Sequence, residues 1–228
     1  MSIGGSPMSI VRYYIYESES ILSPGKIAVS VIPLGCINEP SVSSSSPKAN
    51  FWGAVRVSRE AIRFFRDENP NDAGGRLIVN SSIGGLNAFG GVGFYSATKY
   101  ASEAIHQALA QEIDPNWNIK ISIVEPGNFR TEVWGPAAAR LSVPEIYSTP
   151  TAGYAKTAEY FTQYESPDFK MGDTRKGSQK VYNLATLTDP PLRLVLGQDA
   201  IDSARGQLEA ISVDLAAYES WSSDVAES

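Results

Sequence analysis

Residues 76–99 read RLIVNSSIGGLNAFGGVGFYSATK and residues 119–127 read IKISIVEPG. The first block opens on a short apolar run, Arg76–Asn80, behind the turn Gly74-Gly75, which predicts a buried strand. A glycine-rich loop, Ile83–Gly93, leads into the strongest helical pattern of the chain, Phe94–Ile113. Its inner stripe is expected to be Ala97, Ala101, Ala104, Ile105, Ala108 and Leu109. Asn116–Asn118 turn the chain, Ile119–Val124 predicts a second strand, and Glu125-Pro126-Gly127 ends it. Strand, helix and strand in that order imply parallel strands joined by a crossover helix.

Outward from this block, the pattern continues on both sides. Phe51–Asp67 carries Val55, Ala61, Ile62 and Phe65 at helical spacing, stopped by Asn69-Pro70. Leu192–Leu196 predicts a third strand closed by Gly197. Asp199–Trp221 predicts a last helix with Ile201, Ala204, Leu208, Ile211 and Leu215 on one face. Residues 132–180 read as irregular and rich in aromatics: Tyr147, Tyr154, Tyr160, Phe161, Tyr164 and Phe169. Residues 1–49 differ from the rest. Polar ESES and SVSSSSP stretches flank one apolar segment, Lys26–Ile37, a candidate strand interrupted by Pro33 and Gly35, and Ser41–Pro47 reads as linker.

Composition narrows the function classes. The chain has 228 residues, enough for one domain, and a net charge of −6 without any Lys/Arg cluster, which argues against nucleic-acid binding. Cys36 is the single cysteine and His106 the single histidine, so neither a disulfide nor a metal site is expected. No apolar run is long enough to span a membrane and the N-terminus lacks a signal-peptide pattern, so a cytoplasmic location is expected.

Tyr95 and Lys99 stand four residues apart near the start of a helix, a spacing that puts them on one face. A neighbouring ammonium favours the phenolate, so Lys99 is expected to make the Tyr95 phenol more acidic and able to exchange a proton with a carbonyl or alcohol. Ser82 sits at the C-terminal end of the first strand, where ligands of open parallel sheets bind, and its hydroxyl is placed to hold the substrate oxygen against Tyr95. Pro126-Gly127 occupies the matching end of the next strand, with Thr131 just beyond. Gly84, Gly85, Gly90, Gly91 and Gly93 form no GxGxxG with a downstream acid and read as a flexible loop leading to the helix. There is no GxSxG, and His106 lies mid-helix, read as a surface or groove residue, so serine-hydrolase chemistry is a poor fit.

In the order strand, Ser, glycine-rich loop, YSATK, helix, strand, PG and T, the stretch from NFWGAVRVSREAIRFF to IKISIVEPGNFRTE resembles the short-chain dehydrogenase/reductase family. The likeness is strong over residues 50–132 and moderate over 185–220. It implies an α/β fold, a partial Rossmann-like doubly wound parallel sheet, and NAD(P)-dependent hydride transfer between nicotinamide and a small-molecule carbonyl or alcohol. By the resemblance, Tyr95 is the acid/base. Lys99 is its partner and binds the nicotinamide ribose, and Ser82 orients the substrate. Asn50 holds the water of the proton relay; its simpler reading is a helix N-cap. Pro126, Gly127, Phe129 and Thr131 would line the nicotinamide end, and residues 132–180 would form a substrate lid. The helices beginning near Asn50 and Tyr95 pack between subunits in family dimers, which makes a homodimer the partner expectation.

Residues 1–49 lack the family's TGxxxGxG turn and its NNAG strand end, so the choice between NAD and NADP is not readable. The division expected is therefore an atypical, partly disordered segment 1–49 followed by a truncated catalytic domain 50–228. The alternative function is a non-catalytic fragment, mis-spliced or misannotated, serving at most as a dimerisation unit. Either way, a sheet side left unpaired and an exposed apolar face are expected where the first strands would sit.

Overall fold

The computed structural model describes residues 13–16, 28–31, 47–70, 73–131, 159, 162, 163, 166 and 168–226. Five strands form one sheet in the order β1-β2-β3-β4-β5: Tyr13–Tyr16, Ala28–Val31, Gly75–Asn80, Ile119–Pro126 and Arg193–Leu196. From β2 onward the strands are parallel, whereas β1 runs antiparallel to β2. β1 lies along the outer edge of β2, with Tyr13 opposite Val31 and Tyr16 opposite Ala28, so that among the described residues the unpaired side of the sheet is that of β1. Within the candidate segment Lys26–Ile37 the strand is Ala28–Val31, paired in register with Arg76–Val79 of β3. Cys36 and the Ser-rich Ser41–Ser46 stretch lie outside the described residues, as do Tyr147, Tyr154, Tyr160, Phe161 and Tyr164.

Four helices complete the fold: α1 Ala54–Asp67, α2 Gly93–Glu112, α3 Thr174–Thr186 and α4 Gln198–Tyr218. β3 and β4 alternate their side chains between two faces, as strand geometry requires. Leu77 and Val79 of β3 join Ile119, Ile121 and Ile123 of β4 and Ala54, Ala61, Ile62 and Phe65 of α1 in one core, with Leu109 and Ile113 of the α2 end against it. On the opposite face Ile78 and Val124 pack with Leu184 and Ala185 of α3. Helices thus cover both faces, giving the α/β, Rossmann-like doubly wound arrangement. Truncating a fully buried residue such as Leu77 or Ile123 costs about 2–5 kcal/mol in such a core.

Three expectations about the helices are corrected. α3 lies partly inside the segment expected to be irregular up to residue 180; Asp173 caps it by accepting from the Arg175 and Lys176 amides. In α2 the buried stripe is Ser96, Thr98, Lys99, Ser102, Glu103 and His106, not the alanines, and Ile105 is exposed. In α4 only Ala200 is buried, while Leu208, Ile211 and Leu215 of the expected inner face are exposed. No described helix is long and apolar enough to cross a membrane.

Candidate active site

β3 ends at Asn80, and the chain turns over Ser81 and Ser82 into a single tight turn, Ile83–Gly85. Ser82 caps that turn, its Oγ accepting from the Gly84 amide at 3.1 Å. Gly84 and Gly85 are buried, whereas Gly90, Gly91 and Gly93 of the same loop are exposed. A Cβ on Gly84 would stand 3.2 Å from Cε1 of Tyr95, and one on Gly85 would collide with the Glu103 carboxylate. At Gly84 and Gly85 the lack of a side chain lets the loop approach α2 closely.

Tyr95 is half-buried near the start of α2, its ring and the Ser82 hydroxyl flanking Gly84 at 3.2 and 3.5 Å from where a Gly84 Cβ would stand. The Lys99 ammonium lies 5.7 Å from the Tyr95 ring centroid. Lys99 is buried and donates to the backbone carbonyls of Asn80 at 3.1 Å and Ser81 at 3.2 Å. The structure therefore brings Ser82, Tyr95 and Lys99 together at the C-terminal end of β3. The expected direction of the phenol's acidity is corrected: burial pushes Tyr95 above its ordinary value, with the Ser82 hydroxyl acting the other way. Burial also brings Lys99 down to about 8, against the pull of the Glu103 charge.

Asn50 is fully buried in the wide helical turn Pro47–Gly53 that precedes α1. It does not cap α1, whose N-cap is Gly53 with no side-chain bond. Instead its Nδ2 donates to Thr98 Oγ1 at 3.1 Å, and Thr98 donates in turn to the Tyr95 carbonyl at 2.8 Å. The Asn50 Oδ1 has no partner among the described residues. His106, read as a surface or groove residue, is buried: Ser58 Oγ lies 2.7 Å from Nε2 and the Ser102 carbonyl 2.6 Å from Nδ1, so it cross-links α1 and α2.

The strand-end turn after β4 is drawn toward α4. The Gly127 amide donates to the Leu196 carbonyl at 2.9 Å. Asp199 Oδ2 accepts from both the Asn128 amide and the Asn128 side chain at 2.7 Å. Phe129 bridges Gly172 and lays its ring where a Cβ on Gly172 or Gly177 would be. Pro126 is half-buried at the strand end, and Thr131 is exposed. Pro126, Gly127, Phe129 and Thr131 thus form one segment beside the ends of β4 and β5.

One cluster was missed in reading the sequence. Glu103, Glu125 and Arg193 meet behind Lys99: Ser81 Oγ donates to Glu103 Oε1 at 2.5 Å, and Arg193 Nη1 donates to Glu103 Oε2 at 2.5 Å and to Glu125 Oε1. Burial raises Glu125 to about 7, helped by the Glu103 charge and opposed by Arg193. The available signal was charge placed inside apolar strands, in IVEPG and LRLVLG.

The short chain dehydrogenase family model matches residues 24–141, about half of the chain. The chain belongs to this family. The matched stretch starts before β2 and so crosses Asn50. Oxidoreductase C162.03 of Schizosaccharomyces pombe is 32% identical over 178 residues, which are 78% of this chain and 58% of that protein. A short-chain dehydrogenase from Streptomyces avermitilis superposes with a TM-score of 0.67 at 29% identity, covering 83% of this chain and 65% of that one. Another from Burkholderia cenocepacia, solved with NADP, shares the fold at TM-score 0.53 and 16% identity, covering 78% of this chain and 60% of that one. The short-chain dehydrogenase chain described here therefore spans less than two thirds of the length of each of these proteins.

Proposed function

We propose that this chain is an NAD(P)-dependent oxidoreductase acting on a small carbonyl or alcohol, with Tyr95 as the proton donor and acceptor. The observation that carries this reading is Lys99 beside the Tyr95 ring, with the Tyr95 ring and the Ser82 hydroxyl flanking Gly84, at a parallel strand end. In reduction Tyr95 gives its proton to the substrate oxygen, which Ser82 holds. In oxidation it takes the alcohol proton. NAD or NADP, when bound, supplies the hydride acceptor or donor. Lys99 would hold its ribose with the N–H not given to Asn80 and Ser81. Pro126, Gly127, Phe129 and Thr131 would line its nicotinamide end. The orphaned, buried Asn50 Oδ1 fits a water that passes protons on from Lys99. Exposed Trp52 and Phe94, near the starts of α1 and α2, fit a homodimer face.

A second reading, a non-catalytic fragment, draws support from the sheet edge. β1 is antiparallel where a dinucleotide-binding half would add parallel strands. Titration with NADH and with NADPH, followed by fluorescence, separates the two. Saturable micromolar binding supports the oxidoreductase; no binding at millimolar cofactor supports the fragment. With turnover present, Tyr95→Phe is expected to abolish it.

A further inference from the structure

We propose that Glu103 is the positioning residue of this site: it anchors the strand end that carries the Lys99 acceptors and keeps the Lys99 ammonium charged, with Arg193 and Glu125 completing a balanced buried network. The inference deepens the oxidoreductase reading and rests on it for its purpose, though not for its test.

The geometry has three parts. Glu103 lies one helical turn beyond Lys99, on the buried face of α2. One oxygen accepts the Ser81 hydroxyl at 2.5 Å, and the Ser81 carbonyl is itself an acceptor for Lys99 at 3.2 Å. The same oxygen faces Gly85, whose missing side chain lets the turn capped by Ser82 close onto it. A single carboxylate thus touches the segment bearing Ser82 and the segment holding Lys99.

A carboxylate this deeply buried needs compensation. Arg193 of β5 supplies it, bridging Glu103 and Glu125, with Gln107 of α2 accepting its second nitrogen at 3.1 Å. The charged and titratable groups facing Glu103 are Lys99 and Tyr100 of its own helix, Glu125 of β4 and Arg193 of β5. Above about pH 7, with Glu125 ionised, Lys99 and Arg193 balance Glu103 and Glu125; below it Glu103 is the remaining anion beside Lys99 and Arg193. Removing the Glu103 charge leaves Lys99 facing desolvation without its anion.

The test reads Lys99 directly, by NMR titration of its Nζ–Cε group in the intact chain, without cofactor. Glu103→Gln keeps the shape and an acceptor for Ser81. It is expected to lower the Lys99 midpoint by about one pH unit, the scale of a close charge partner, with far-UV circular dichroism unchanged. An unchanged midpoint in a folded variant overturns the proposal. If Glu103→Gln does not fold, Glu103→Asp is read instead; withdrawing the carboxylate by one methylene should lower the Lys99 midpoint, and an unchanged midpoint overturns the proposal. Cofactor titration of the wild type reports separately on the oxidoreductase reading, so the two can fail independently.

Discussion

Asn50 and Thr98 join the turn before α1 to α2 by a buried hydrogen bond of 3.1 Å, one residue from Lys99. Thr98→Val keeps the volume but strands the Asn50 amide. It is expected to lower stability by about 1–3 kcal/mol, the cost of a buried unsatisfied donor. Urea unfolding of the two proteins checks this; equal midpoints would show that the bond contributes nothing.

Gly84 and Gly85 are expected to respond differently to alanine. At Gly84 the added methyl meets the Tyr95 ring at 3.2 Å, so the ring must shift by a few tenths of an ångström. Turnover should fall about tenfold, as small misplacements of a catalytic group do, with little change in stability. At Gly85 the methyl strikes the Glu103 carboxylate and the Ser81 hydroxyl. That overpacking should cost roughly 1–3 kcal/mol, read by thermal unfolding. Equal behaviour of the two variants would contradict the geometry.

Lys99 loses its proton near pH 8. Any step that needs the ammonium should therefore fall away as pH rises through about 8. Lys99→Arg keeps a charge well above that pH, so its turnover, though lowered, should stay flat there. Parallel decline of both pH profiles would remove Lys99 as the cause.

Glu125 is raised to about 7 by burial and by Glu103. The native state thus binds this proton more tightly than the unfolded chain, whose glutamates titrate near ~4.3. The resulting stability is full below that unfolded value and is lost as pH rises through about 7. Buried His106 is depressed and works the other way: its contribution is present above the ordinary histidine value of about 6.5 and is lost as pH falls. Comparing wild type with Glu125→Gln cancels the His106 part. The stability difference between them should change by roughly 3 kcal/mol between pH 4 and 8. A difference independent of pH would show that Glu125 is not held protonated.

The parts of the fold legible in the sequence are those with one dominant signal. RLIVN and IKISIV read as strands because both faces are covered, and Tyr95 and Lys99 read as neighbours because their spacing fixes a common helix face. α2 misled for a physical reason: Ala97 and Ala104 of the expected stripe are exposed, and the buried face is polar because Ser81, Glu103 and Arg193 satisfy one another there. Periodicity of apolar residues cannot find such a face. α3 was hidden by Gly177 and Ser178, although Val181, Leu184 and Ala185 carried the stripe. The Tyr95 acidity was misjudged because spacing reveals Lys99 but not the desolvation around the ring.

α4 extends for 21 residues with only Ala200 buried, three positions from its start. Its start is tied to the body through Asp199, which accepts from Asn128, and through Asn87, whose Nδ2 donates to the Ser203 Oγ at 3.0 Å. Beyond that tether little tertiary packing opposes fraying. Amide deuterium uptake should therefore rise along the helix, slow near Ile201 and fast past Leu215, while β3 and β4 stay protected until the whole domain opens.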